Sequence, residues 1–319
     1  MKGKELVKVA IFLALTSWTA VAFSQAPVKL KMGHMKIAEM SPLFLGVDKG
    51  FFKAEGLELD LVPMVGGAAV APALASGALH IGTGLNPVTA SIAHTRGFDF
   101  KFIAPVAVYK AKTNDVFGIQ VLRDSPIRTA KDLEGKVIAS NTLQNTVHLA
   151  TLFWIDKHGG DSSKVKVVEM PFPAMEGALK EKKIDAFTAS EPFITVPAGR
   201  TTRVLGYPLG EIAPRLLAGA YFTSSEYIEK NPEKVRALIR GFQKGVDYHN
   251  ANLEEARAVI AKWTGLDPAL VAKINMPAFE KELFISDIEP WIDLAYKYKF
   301  IDKTFKAEEL IGKIAAVKK

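Results

Sequence analysis

The sequence predicts an α/β protein of two related lobes, and three observations carry that expectation. Short apolar runs alternate with helix-patterned stretches from residue 28 to about residue 200, as in a mainly parallel sheet covered by helices. The series restarts after Val116, so it is read twice. Finally, "ALASGALHIGTGLNP" (73–87) lies on "ALKEKKIDAFTASEP" (178–192) at an offset of 105 residues, with the Ala-Leu pair, the helix end, the short strand and the closing X-Pro in register. His80 then faces Asp185, and Asn86 faces Glu191. Two such halves opposed would put Asn86 and Glu191 on opposite walls of one cleft.

In chain order, residues 1–24 read first as a secretory signal peptide. Lys2, Lys4 and Lys8 accompany an apolar run from Val9 to Phe23, and small residues stand at Ala20, Ala22 and Ser24. The run is shorter than the roughly 20 residues that span a bilayer. Cleavage near residues 22–24 and a periplasmic mature chain are therefore expected. "VKLKMGH" (28–34) is the first strand. Ser41 as N-cap, Pro42 in the first turn and Gly56 past the end bound a helix after it. "LELDLVP" (57–63) alternates as a second strand, and "LHIGTG" (79–84) and "FKFIAPVAV" (100–108) are the next two. Beyond Val116, "FGIQVLR", "KVIAS", "VKVVEM" and "IDAFTA" repeat the series, and Pro192 opens a helix straight after the last of them. From about Asn231 the chain is mostly helix.

Composition narrows the function. The chain is 49% hydrophobic and 24% charged, ordinary for a globular protein long enough for two domains. Its net charge is +7, but Lys and Arg are scattered with no block of like charge, which argues against nucleic acid. The absence of cysteine excludes thiol catalysis, cysteine-bound metal and a lipidated cysteine anchor, and leaves an exported chain to rely on its core. The six histidines show no metal-ligand spacing and there is no G-x-S-x-G elbow, so no metal, cofactor or catalytic residue is expected. "GTGLNP" opens like a dinucleotide fingerprint, but Pro87 takes the third glycine position. A binder is favoured over an enzyme.

"SPLFLGVDKGFFKAEGLELDLVPMVGG", "ALASGALHIGTG", "KDLEGKVIASNT" and "KKIDAFTASEPF", in that order and spacing, resemble the substrate-binding proteins of ABC importers, in the nitrate, sulfonate, taurine and thiamine-pyrimidine group. The motifs are spread over residues 28–200, and the helical tail is also typical. The resemblance implies a type II periplasmic-binding-protein fold: two α/β lobes joined by a two-segment hinge. One lobe would take residues 25–110 and 205–319, and the other residues 111–204, with crossovers near Val108 to Val116 and Val204 to Ala220. It further implies a receptor that closes on a small nitrogen-containing or sulfonate-type solute and delivers it to a permease in the inner membrane. A monomer is expected. The alternative is an enzyme of the same fold resembling thiamine-pyrimidine synthases, which work with pyridoxal phosphate, a histidine and a cysteine-rich iron-binding motif. A cysteine-free chain with a signal peptide argues against it.

Candidate ligand residues fall at the expected strand ends. His34, Lys36 and Glu39 follow the first strand, with Ser41 opening the helix; a core histidine and a solvated lysine are the plain readings of the first two. Gly66 and Gly67 follow the second strand, where they allow close backbone approach or merely a tight turn. Asn86 ends the third, as a ligand contact or simply as N-cap. Ser140, Asn141, Thr142, Gln144, Asn145 and Thr146 gather hydroxyls, amides and N–H groups before a helix, a setting that attracts anions, although capping alone would use Thr142 or Asn145. Phe117, Phe193 and Tyr221 stand near crossovers or strand ends and would stack on a flat ligand or serve as generic core. Glu191 is an unusual cap, since Asn, Asp, Ser and Thr rank far ahead. Its carboxylate in a closing cleft demands a partner. A ligand amine or ring N–H is one such partner, and an internal Lys or Arg is another. No arginine stands at an expected strand end, which leaves zwitterions such as taurine and nitrogen heterocycles open as ligand classes. Asn86, Thr142 and Glu191 are expected to share one hollow.

Overall fold

Two five-stranded sheets of matching topology organise the chain in the computed structural model, which describes residues 26–111 and 115–318. The expected signal peptide and residues 112–114 of the first expected crossover lie outside the described residues. The first sheet holds β1 (Val28–His34), β2 (Leu57–Pro63), β3 (Ile81–Leu85), β4 (Phe100–Lys110) and, from far along the chain, β10 (Arg215–Ser224). Their order is β2-β1-β3-β10-β4. The second sheet holds β5 (Phe117–Leu122), β6 (Val137–Ser140), β7 (Lys166–Glu169), β8 (Ala186–Ser190) and β9 (Thr202–Gly206), in the order β7-β6-β8-β5-β9. In each sheet three parallel strands are followed by one antiparallel to both its neighbours: β10 in the first, β5 in the second. Those are also the strands on which the chain arrives from the other sheet, across residues 111–116 and 207–214. The fold is the two-lobed type II periplasmic-binding-protein fold.

The sequence repeat coincides with this repeated topology. β3 and β8 are the third strands of their sheets and begin 105 residues apart. The residue before each strand makes the same closed pair of bonds to its neighbour. His80 N–H donates to Lys31 O at 2.9 Å, while Lys31 N–H donates to His80 Nδ1 at 2.9 Å. Asp185 N–H donates to Val137 O at 2.8 Å, while Val137 N–H donates to Asp185 Oδ2 at 2.9 Å. A polar side chain at this point satisfies a backbone donor that the short third strand does not reach.

Helices join the strands: α1 (Ser41–Asp48), α2 (Phe51–Ala54), α3 (Gly67–Ala75) and α4 (Pro87–Thr95) in the first lobe, α5 (Thr146–Lys157) and α6 (Phe172–Lys180) in the second. After β10 come α7 (Ser225–Lys230), α8 (Pro232–Ala251), α9 (Leu253–Thr264), α10 (Pro268–Val271) and α11 (Glu289–Lys297). The amphipathic α8 buries Val235, Leu238, Phe242 and Val246, three or four residues apart, and packs on α1. Gly245 permits that approach, because a Cβ there would fall 2.3 Å from Pro42 O. Among the described residues no helix is long and apolar enough to cross a membrane.

Several elements differ from expectation. The helix after Ser41 breaks into α1 and α2 at Gly50, whose φ of 73° is left-handed. Ser41 is not its cap: Met40 holds that position, and Ser41 Oγ pairs with His249 Nδ1 at 3.0 Å. No helix starts at Pro192. Residues 191–197 form successive hydrogen-bonded turns, and Pro197 lacks the N–H that a continuing helix would need there. The span from Val204 to Ala220 is not all crossover, since it includes the end of β9 and half of β10. β10 runs inside the first sheet, between β3 and β4, with Ala220 and Phe222 fully buried.

Candidate functional site

The turns after β1 and β3 meet those after β6 and β8, at the strand ends where open α/β sheets receive ligands. Between them lies a cavity of about 40 Å³, a few times the space that one ordered water requires. The first lobe lines it with Met35, Ile37, Glu39 and Met40 after β1, Gly84 and Asn86 at the end of β3, Val106 of β4, and Ala218 and Gly219 of β10. The second lobe contributes Phe117 of β5, Asn141, Asn145, Thr146 and Val147 around the start of α5, Phe172 of α6, and Ser190 closing β8. Glu39 is the one ionisable side chain among these lining residues.

Glu39 belongs to a single 3₁₀ turn, Ala38–Met40, which the facing lobe anchors: Ala38 N–H donates to Glu191 O at 3.1 Å. Its side chain is 2% exposed. Ser190 Oγ donates to Glu39 Oε1, whereas Oε2 has no hydrogen-bond partner among the described residues. Burial pushes the carboxyl up to about 7; the Ser190 bond and the residue's own backbone N–H oppose that rise, and the nearby Glu191 charge adds to it.

A second set of contacts joins the lobes around the cavity. Asn86 Oδ1 caps α4 by accepting from Thr89 N–H at 3.0 Å, and accepts from Thr146 N–H of the other lobe at 3.2 Å. Asn145 Oδ1 caps α5 through His148 N–H at 2.9 Å, and its Nδ2 donates to Asn141 Oδ1 and Thr142 Oγ1 at 2.8 and 2.7 Å. The polar stretch before α5 is thus largely bonded within itself.

Of the sequence candidates, Glu39, Asn86, Phe117, Asn141, Asn145 and Thr146 come together on the cavity wall. The others do not. His34 is a core histidine, edge-on to Phe44 and Trp263, and burial holds its pKa down. Lys36 points to solvent. Gly66 precedes α3 and lies against Thr142 of the facing lobe, so the two touch beside the cavity rather than in it; Gly67 opens α3. Gln144 is exposed, its N–H donating to His148 Nδ1 at 3.0 Å. Phe193 stacks behind Phe172 at 5.8 Å, and Tyr221 lies on Phe242 at 3.6 Å inside the first lobe's core. Glu191 corrects the expectation most. It is fully buried, and its carboxylate accepts from Thr195 N–H at 3.1 Å, Thr195 Oγ1 at 2.6 Å and Asn275 N–H at 3.1 Å. Burial pushes that carboxyl up, and these donors pull it back. Asn86, Thr142 and Glu191 therefore do not share one hollow.

Sequence reasoning passed over Ser190, Phe172, Met35, Met40, Ala218 and Gly219. Strand alternation was the available signal for Ser190, since neighbours along β8 face opposite sides. Ala218 and Gly219 were hidden by reading β10 as a crossover.

A family model described as "NMT1/THI5 like" matches residues 37–256. A binding protein of Brucella abortus (strain 2308) is 26% identical over 274 residues, covering 82% of this chain and 79% of that protein. The alkanesulfonate-binding protein SsuA from Xanthomonas axonopodis pv. citri, solved with MOPS bound, superposes with a TM-score of 0.75 at 19% identity, over 90% of this chain and 99% of its own. The periplasmic nitrate-binding protein NrtA from Synechocystis PCC 6803 gives a TM-score of 0.77 at 14% identity, over 90% and 86%. Such likenesses show the fold.

Proposed function

The chain belongs to the NMT1/THI5-like family, and from that premise we propose that it is a solute-binding receptor of an ABC importer, exported to the periplasm and monomeric. The first sheet with the helical tail acts as one lobe and the second sheet, residues 117–206, as the other, swinging about the two crossovers. A small organic solute enters between the open lobes, and closure encloses it. The closed form then offers the inner-membrane permease a surface drawn from both lobes.

One observation supports this reading above the rest: a cavity walled by both lobes, at matching strand ends of two sheets that only two chain crossings connect. A ligand favours closure only through contacts that it makes with both halves, and here Glu39 and Asn86 oppose Ser190, Asn141 and Asn145. Small-angle scattering and thermal melting over a panel of small metabolites test the reading. A binding compound is expected to raise the Tm and shrink the radius of gyration together. Turnover of a bound compound, or stabilisation with no change in dimensions, would contradict it.

A further inference from the structure

Resting on the receptor reading, we propose that the cleft takes a compact solute, neutral or cationic, that donates an N–H group to Glu39 Oε2, and that it rejects nitrate and sulfonate anions.

Glu39 carries this inference because its hydrogen bonding is unfinished. A carboxylate offers several acceptor positions, and Ser190 fills one on Oε1. Oε2 is buried without a donor among the described residues, on a side chain that lines the cavity. A buried acceptor left in that state is costly, and an N–H group arriving in the cavity removes the cost. Charge points the same way. The lining contains no lysine, arginine or histidine, so above about pH 7, where Glu39 is ionised, an anion would be desolvated beside a carboxylate with no counter-charge.

The usual refuge for an anion, the free N–H groups at a helix start, is partly occupied at α5. Thr146 N–H is taken by Asn86 Oδ1 and His148 N–H by Asn145 Oδ1. The rest of the wall is mainly apolar, with Met35, Met40, Val106, Phe117, Val147 and Phe172. That surface suits an apolar body carrying one nitrogen donor.

Thermal-shift and calorimetric titrations of the purified protein test the proposal with cytosine, imidazole and piperidine as N–H donors, within a wider library of amines and N–H heterocycles. Nitrate and ethanesulfonate serve as anions, and N,N-dimethylpiperidinium as a cation without an N–H. We expect N–H compounds to be the tightest binders. Glu39→Gln should weaken them at least tenfold while melting no lower than the wild type. Wild-type protein alone gives a second reading: N-methylation of a bound amine should abolish its binding. Tighter binding of nitrate or ethanesulfonate than of every N–H compound overturns the proposal and leaves the receptor reading standing. Equal binding of the methylated cation overturns it too, and a protein that no compound stabilises overturns both.

Discussion

Asn86 and Glu191 hold equivalent places, each one residue past the third strand of its sheet and each followed by proline, yet their side chains part ways. Asn86 is short, and a helix follows it. Its amide caps α4, takes a donor from the facing lobe and stays on the cavity wall. Glu191 is longer and is followed by turns instead of a helix. Its carboxylate folds back on Thr195 and reaches Asn275, behind the wall that Ser190 forms. Both residues bridge the lobes, since Glu191 O also receives Ala38 N–H. The repeat thus conserves a joining role at the two strand ends and not a ligand-reading one. The free carboxylate oxygen comes from Glu39 after β1, whereas the matching stretch after β6 supplies the amides of Asn141 and Asn145.

This contrast can be broken experimentally, and the largest effect is expected at Glu191. Glu191→Gln loses the charge in three hydrogen bonds and turns an amide toward N–H donors, at a cost of about 1.5–3 kcal/mol. Calorimetric melting should register this as a fall in Tm of roughly 3–10 °C. An unchanged Tm would mean that Glu191 is no latch.

Asn86→Ala should cost less, about 1 kcal/mol for a lost cap. Because the same oxygen receives Thr146 N–H, this variant should also spend more time open. Scattering should show a larger unliganded radius of gyration than in the wild type. An unchanged radius would remove Asn86 from the closure contacts.

The smallest effect is the pH profile. Burial holds His148 and His249 down to about 4. The unfolded chain binds protons at both sites below about pH 6.5 and the folded chain does not, so the stability present above 6.5 is lost as pH falls toward 4. Glu39 acts in the opposite sense: its contribution is full below about pH 4.5 and is lost as pH rises through about 7. His34 and His80 are held down as well, and Glu191 and Asp287 pushed up; four histidines outweigh three carboxyls, so melting temperature should drop between pH 6.5 and 4.5, and more steeply in Glu39→Gln. A shallower drop in that variant would contradict the buried, partly unpaired state of Glu39.

Much of the architecture was legible because it rests on local pattern. Strand runs such as "LELDLVP" and "KVIAS" alternate or stay apolar, and the 105-residue repeat reflects β3 and β8 in equivalent positions. β10 was not legible: "RLLAGAYFTS" is a strand because it pairs with β3 and β4, more than a hundred residues earlier, and Pro208, Pro214 and their neighbours look like a linker in isolation. The same limit governs the site. Strand ends could be located, which brought Asn86 and Asn141 into view, but the direction of a side chain past a strand end depends on tertiary partners. Glu191 went to Thr195 and Asn275, and Tyr221 to Phe242, for reasons no local window contains.

The central claim is that one buried carboxylate reads the solute while the other holds the lobes. Side-by-side calorimetric titration of Glu39→Gln and Glu191→Gln with the tightest N–H compound tests it most directly. The account predicts a dissociation constant raised roughly ten- to hundredfold in the first and by no more than a few-fold in the second. Wild-type affinity in Glu39→Gln, with the large loss falling on Glu191→Gln, would contradict it.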